Sequence, residues 1–256
     1  MTLLAERLTR GEAVFSAWSG LAHAGVVEAI AGLEFQAITL DMQHGAHDEG
    51  SVERSLLPIT ASARHGVVRI PVGRFDMASR ALDFGAEAVI APMINTVEDA
   101  RRFAAHMKYP PLGERSWAPY LGMQRMGRTD PQEWLRESNR NTLALAMIET
   151  REAYALVDEI LGVGGIDGVF VGPSDFSIAW FRGERIDPLA EDIMDAIAAV
   201  GRKAVAAGKH AGIYITDPPT VGRFHKAGFR FFAIGNENVY MAQGASNLLA
   251  AARASL

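Results

Sequence analysis

Eight short apolar runs alternate with amphipathic stretches of helical period along this chain. The runs are Val14 to Ser19, Phe35 to Leu40, Val67 to Ile70, Ala88 to Met93, Leu143 to Ile148, Val169 to Val171, Ala211 to Ile215 and Phe231 to Ile234. Unbroken apolar runs bounded by turn residues are the mark of parallel strands buried on both faces. Between and after them the pattern predicts helices over Ala22 to Gly32, Val52 to Arg64, Met77 to Phe84, Val97 to Met107, Arg151 to Leu161, Pro188 to Ala207, Pro218 to Ala227 and Val239 to Ala252. Such alternation closes as a (β/α)8 TIM barrel, and 256 residues match its usual length of ~250. The rival is an open doubly wound sheet. It wants a glycine-rich dinucleotide turn after the first strand, and none is present. No linker or composition shift divides the chain, so residues 1–256 read as one barrel domain.

One connection is long. Tyr109-Pro-Pro-Leu-Gly113 cannot continue a helix, and strand five waits until Leu143. The stretch to Thr129 carries Trp117, Tyr120, Met123 and Met126, with a short helix expected near Pro131 to Ser138. Loops of this length are uncommon unless functional or partly disordered.

A formal charge of -5 argues against a nucleic-acid surface and fits a cytoplasmic protein. With no cysteine there is no disulfide, thiolate nucleophile or zinc–sulfur site. The first residues lack the basic and apolar regions of a signal peptide, and no run approaches the ~20 apolar residues of a membrane span.

In a barrel, chemistry sits where strands end. Two apolar runs end in carboxylates: Met147-Ile-Glu149, and Gly168-Val-Phe-Val-Gly-Pro-Ser-Asp175. A carboxylate beside such a run is costly unless paired or bound to a cation. Each alone reads as a helix or turn cap. Together on adjacent strand ends, Glu149 and Asp175 suggest a hard divalent ion, Mg²⁺ or Mn²⁺, that keeps positions open for water and substrate. Asp41-Met-Gln-His44 ends strand two, with a carboxylate that can orient the imidazole as a base. His47 is close, but the strand-end argument favours His44. Arg69 lies inside Val-Val-Arg-Ile-Pro and needs an anionic partner, either Asp41 or Glu149 or a substrate oxygen. Gly172-Pro-Ser-Asp175 can turn the N–H groups of Ser174 and Asp175 toward a carboxylate. Trp18 falls at the end of strand one.

The lysines give an informative negative. There are four, Lys108, Lys203, Lys209 and Lys226, and none ends a strand. A Schiff-base enzyme needs a desolvated lysine in its pocket, so carbonyl chemistry here is expected to run on a metal.

On these residues the chain resembles the HpcH/HpaI aldolase family, the metal-dependent class II pyruvate aldolases. The resemblance spans nearly the whole chain. It rests on Asp41-Met-Gln-His-Gly45, Val68-Arg-Ile-Pro71, Tyr109-Pro-Pro-Leu-Gly-Glu-Arg115, Ile148-Glu-Thr150 and Gly168 to Asp175. It implies reversible cleavage of a 4-hydroxy-2-oxo acid into pyruvate, or a close analogue such as hydroxypyruvate, and an aldehyde. It implies that Glu149 and Asp175 bind the ion (Mg²⁺ or Mn²⁺, with Co²⁺ and Zn²⁺ as further options), which pyruvate chelates. The N–H groups of Ser174 and Asp175, in the Gly172-Pro173 turn, would hold the substrate carboxylate. Arg69 would stabilise the enolate, His44 paired with Asp41 would act as base, and Trp18 would line the pocket. Relatives are homo-oligomers, hexamers or trimers, with the last helix exchanged between subunits. Asp83 matches a position that approaches a neighbour's site.

The chain departs from the family pattern at Gln43, usually Glu, and at Met147, often Gln. Both changes touch the shell that tunes a metal site. Ser116-Trp-Ala-Pro119 replaces small residues in a loop expected to face the aldehyde. Other readings are a CoA-ester lyase, a 2-oxo-acid decarboxylase or tautomerase, and a catalytically silent binding barrel. The first lacks a cationic cluster for the cofactor. The last is disfavoured by the intact Asp41, His44, Arg69, Glu149 and Asp175 set.

Overall fold

The computed structural model describes residues 2–256. Eight parallel strands close in chain order: β1 (Val14–Ser19), β2 (Ala37–Asp41), β3 (His65–Arg69), β4 (Ala88–Ala91), β5 (Leu143–Ile148), β6 (Gly168–Val171), β7 (His210–Ile215) and β8 (Phe231–Asn236). The protein is a (β/α)8 barrel, with β8 pairing β1 to complete the ring.

Helices cover the outside. They are α1 (Leu4–Thr9), α2 (Ala24–Ala31), α3 (Glu49–Ala61), α4 (Asp76–Asp83), α5 (Val97–Met107), α6 (Tyr120–Arg125), α7 (Pro131–Asn141), α8 (Arg151–Ala155), α9 (Val157–Leu161), α10 (Pro173–Trp180), α11 (Glu191–Ala206), α12 (Val221–Lys226) and α13 (Glu237–Arg253). None is long and apolar enough to cross a membrane among the described residues.

Strand alternation separates two apolar layers. Val68, Val89, Ala146 and Val169 face the helices. Val67, Ile90, Leu145, Met147 and Phe170 fill the barrel interior. The inward series therefore end in polar groups at the C-terminal rim: Ala37, Thr39, Asp41 on β2; His65, Val67, Arg69 on β3; and Leu143, Leu145, Met147 on β5, followed by Glu149. At the opposite rim Glu87 takes the His65 ring nitrogen at 2.8 Å and the Leu4 N–H at 2.7 Å, which fastens α1 across the barrel floor.

Several boundaries differ from the sequence pattern for local reasons. Helix α3 starts at Glu49 rather than Val52 because Asp48 and Ser51 form a capping box. The stretch expected to be a functional or disordered loop contains α6, whose Gly122 packs against the end of α4. Helix α10 was not anticipated. Gly172 at its N-cap and Pro173 at its first position start it directly after β6, so Asp175 stands in a helix first turn and not in an isolated loop.

Candidate active site

The rim of the barrel holds a cavity of about 540 Å³ lined by Trp18, Asp41, His44, Arg69, Met147 and Gly172, together with Ser174, Asp175, Tyr214 and Glu237. Every catalytic or substrate-binding candidate from the sequence is in this lining, Pro173 included. Glu149 lies just beneath it, almost wholly buried.

Asp41 and Arg69 are register partners on β2 and β3. Arg69 Nε donates to Asp41 Oδ1 at 2.9 Å and Nη2 to Oδ2 at 2.7 Å. Trp18 Nε1–H adds a bond to Oδ2 at 3.2 Å, and its ring lies 4.8 Å from the guanidinium carbon. Burial pushes the Asp41 carboxyl up. Arg69 outweighs it, helped by Trp18 and the Gln43 N–H, so the group sits below its ordinary range.

Asp41 touches His44 differently from the expected dyad. It accepts the His44 backbone N–H at 3.4 Å and the Gln43 N–H at 3.0 Å, which shapes the turn. Its carboxylate is already occupied by a bidentate arginine and an indole. The His44 imidazole is instead exposed at the cavity lip.

Glu149 is the telling residue. Oε1 accepts the N–H of Met93 at 2.8 Å, from a residue held at φ 53 after β4. Oε2 is buried with no partner. Burial, opposed by the Met93 bond and Arg69 and helped by the negative charge of Asp175, raises the carboxyl to about 7. A side chain at position 172 would come within 2.8 Å of Glu149 Oε2 and 2.6 Å of the Met147 methyl, so glycine keeps this space open. A buried carboxylate oxygen without a donor, facing a second carboxylate across space reserved by glycine, suits a divalent cation. No group of three or more histidine or acidic residues is placed to hold a metal ion among the described residues, so the remaining ligands would be water or substrate oxygens.

Helix α10 aims its first N–H groups, those of Ser174 and Asp175, at the same rim, an arrangement that favours a carboxylate. Tyr214 was missed by sequence reasoning. It sits on β7 edge-on to Trp18, with ring centroids 5.4 Å apart, and burial raises its hydroxyl. A strand-end search passed over it because it lies one residue before the end of β7.

Other residues singled out in the sequence lie outside this lining. Ser116 to Pro119, expected to face the aldehyde, is absent from the lining of this cavity within the chain. Asp83 accepts from Arg115 at 2.7 Å and is not among the residues lining this cavity. No lysine lines it either: Lys108 is buried among Asp167, the Asn139 carbonyl and the Thr142 carbonyl. A second hollow of about 480 Å³, at the opposite end near Leu3 and Glu87, gathers Arg125, Arg128 and Arg140, each paired with a glutamate.

The family model described as HpcH/HpaI aldolase/citrate lyase matches residues 15–243. A hydroxypyruvate/pyruvate aldolase of Rhizorhabdus wittichii is 35% identical over 244 residues, covering 95% of this chain and 96% of the relative. A 4-hydroxy-2-oxo-heptane-1,7-dioate aldolase of Salmonella paratyphi C is 32% identical over 246 residues, covering 96% and 92%. A crystal structure of an HpcH/HpaI aldolase/citrate lyase family protein from Burkholderia cenocepacia superposes with a TM-score of 0.85 at 26% identity, covering 98% of both chains.

Proposed function

The chain belongs to the HpcH/HpaI aldolase/citrate lyase family and is a carbon–carbon lyase of the pyruvate aldolase type, and we propose that it cleaves 4-hydroxy-2-oxo acids reversibly into pyruvate or hydroxypyruvate and an aldehyde. The observation that carries the reading is the buried, unpartnered Glu149 Oε2 opposite Asp175, beside the Asp41–Arg69 pair.

Glu149 and Asp175 would hold a divalent cation, Mg²⁺ or Mn²⁺ by the hardness of the donors, with Co²⁺ and Zn²⁺ as further candidates. The chemistry such an ion supplies is Lewis acidity toward a keto oxygen. The protein's own groups do the rest. The Ser174 and Asp175 N–H groups orient the substrate carboxylate. Arg69, fixed by Asp41, faces the keto oxygen and stabilises the charge that develops there. In the cleavage direction His44 takes the proton of the 4-hydroxyl. The bond between C3 and C4 breaks, its electron pair stays on C3, and the aldehyde leaves. The proton taken by His44, returned to C3 directly or through solvent, completes pyruvate and restores the base. Trp18 and Met147 supply apolar walls that exclude water.

The subunit is proposed to assemble as a hexamer or trimer through α13, which is exposed over almost its whole length. Asp83 is proposed to approach a neighbour's site in that assembly.

The test is pyruvate formation from a simple 4-hydroxy-2-oxo acid, coupled to lactate dehydrogenase. Activity should vanish with chelator and return with Mg²⁺, Mn²⁺, Co²⁺ or Zn²⁺. Inactivity under every metal, with the ion shown to be bound, would move the reading to a lyase of another substrate class.

A further inference from the structure

Glu237 is the one buried residue of α13 and the first residue of that helix. Its carboxylate accepts three bonds from a single turn after β1. Oε1 takes the Ser19 hydroxyl at 2.6 Å and the Leu21 N–H at 3.2 Å, and Oε2 takes the Gly20 N–H at 3.0 Å.

Ser19 then passes the contact on. Its single proton is committed to the carboxylate, so its oxygen accepts from His47 Nε2 at 3.0 Å. The other His47 nitrogen meets the Ser51 hydroxyl at 3.2 Å, and Ser51 belongs to the capping box that starts α3. His47 is 5% exposed and Ser19 is fully buried, while Glu237 reaches the cavity lining.

The loop caught between these anchors carries His44. The Ala46 N–H bonds the Gly20 carbonyl at 2.8 Å. Gly45 is pressed so closely on Gly20 that a Cβ there would lie 2.9 Å from the Gly20 Cα and 2.4 Å from the Asp41 carbonyl. The turn after β1 and the turn bearing His44 are therefore bonded and packed against each other, and Glu237 ties them to the root of α13.

The geometry points to Glu237, acting through Ser19 and His47, as a positioning residue that sets where His44 stands over the cavity. The inference rests on the reading of His44 as the base of the aldol reaction. It assigns a function to three polar residues that touch neither the metal ligands nor the Asp41–Arg69 pair.

The test compares Glu237→Ala, Glu237→Gln and Ser19→Ala with wild type in the metal-loaded enzyme. Glu237→Ala should lower kcat about 10- to 100-fold, the usual cost of losing a supporting hydrogen-bond shell, with the KM for the oxo acid and the metal Kd within about twofold. Glu237→Gln should recover much of kcat, because its carbonyl oxygen still accepts from Ser19 and Leu21. Ser19→Ala should lie between, and its effect should not add to that of Glu237→Ala. The His44 ring resonances in NMR should shift in Glu237→Ala, and this readout does not depend on turnover. Unmoved resonances, an unchanged kcat, or a parallel loss of metal binding and thermal stability would each overturn the inference. Wild-type inactivity with every metal would instead count against the aldolase reading, and the His44 resonances would still decide the role of Glu237.

Discussion

Asp41 and Arg69 end neighbouring strands in register and grip each other through two hydrogen bonds, at 2.9 and 2.7 Å, in a site almost closed to water. A buried pair of this kind stabilises little relative to an apolar one, but losing one partner strands a charge. What the pair provides is a fixed guanidinium.

That bond has a pH signature. Arg69 holds the Asp41 carboxyl below its ordinary range against the upward push of burial. In the unfolded chain the group returns to ~3.9. The stability it contributes is therefore present above that value and is lost as pH falls through the lower folded value. Asp41→Asn should be destabilised at neutral pH, and the gap to wild type should narrow below about pH 4. Urea unfolding at neutral pH and below about pH 4 reads this directly. A gap that stays constant between the two would mean that Asp41 is not held low.

Much of this was legible in the sequence because a barrel strand has period two. Once Leu143, Leu145 and Met147 are recognised as one face, Glu149 must follow at the rim, and Arg69 follows Val67 in the same way. Asp41 was one of three partners the sequence left open for Arg69. Register decides it, and register is a long-range property. The Asp41 carboxylate meets the His44 backbone N–H and not its ring, because spacing places an imidazole near a carboxylate without showing that Arg69 and Trp18 also bind it. Helix α10 was hidden because Gly172-Pro-Ser reads equally as a turn or a helix start. Tyr214 and Glu237 carry no local motif, and only closure of β8 onto β1 brings Glu237 to Ser19.

The Glu149 carboxyl must lose its proton to ligate a cation. Burial holds that proton up to about 7 in the metal-free protein. Metal affinity should therefore rise with pH through this range. Titration calorimetry at pH 6 and pH 8 should give a Kd about tenfold tighter at the higher value, with close to one proton released at the lower. Glu149→Gln should abolish both binding and the proton release. Full metal-dependent activity in that variant would remove Glu149 from the ligand set.

His44 stands at the lip of the cavity and belongs to no ion pair among the described residues. His44→Ala should reduce aldol turnover by about 10²–10⁴-fold, the usual contribution of a positioned acid–base group, while metal binding persists. Metal affinity that collapses along with turnover would assign His44 a different task.

Tyr214 directs a half-buried ring against Trp18 at the cavity wall. Its hydroxyl makes no hydrogen bond to another protein group among the described residues. Tyr214→Phe keeps the edge-on contact and removes only that oxygen. A bond from it to a hydroxylated substrate would be worth about 1 kcal/mol, or roughly fivefold in kcat/KM. The loss should be larger for hydroxypyruvate than for pyruvate as donor, with the metal Kd unchanged. Equal effects on both donors would show that the oxygen does not read the substrate hydroxyl.

Helix α13 leaves Val239, Met241, Leu248 and Leu249 more than half exposed. Its root is fixed by Asn236 capping Val239 and by the Glu237 bonds, so it stands from the barrel as an anchored apolar arm. Four large side chains on one helix cost several kcal/mol in water, at roughly 25 cal/mol per Å² of apolar surface. An exposed apolar stripe of this kind is the mark of an interaction surface. In the proposed assembly a second copy of the chain would offer the same arm in return, and symmetric exchange would bury both at once. Removing residues 241–256 keeps Glu237 and its bonds in place while deleting most of the arm. The truncated protein should lose higher-order assembly in light scattering and stay folded as judged by circular dichroism. Leu248→Glu with Leu249→Glu should give the same result without shortening the chain, because two carboxylates cannot enter an apolar interface unpaired. If both variants keep the assembly of the parent, α13 is not what joins the subunits.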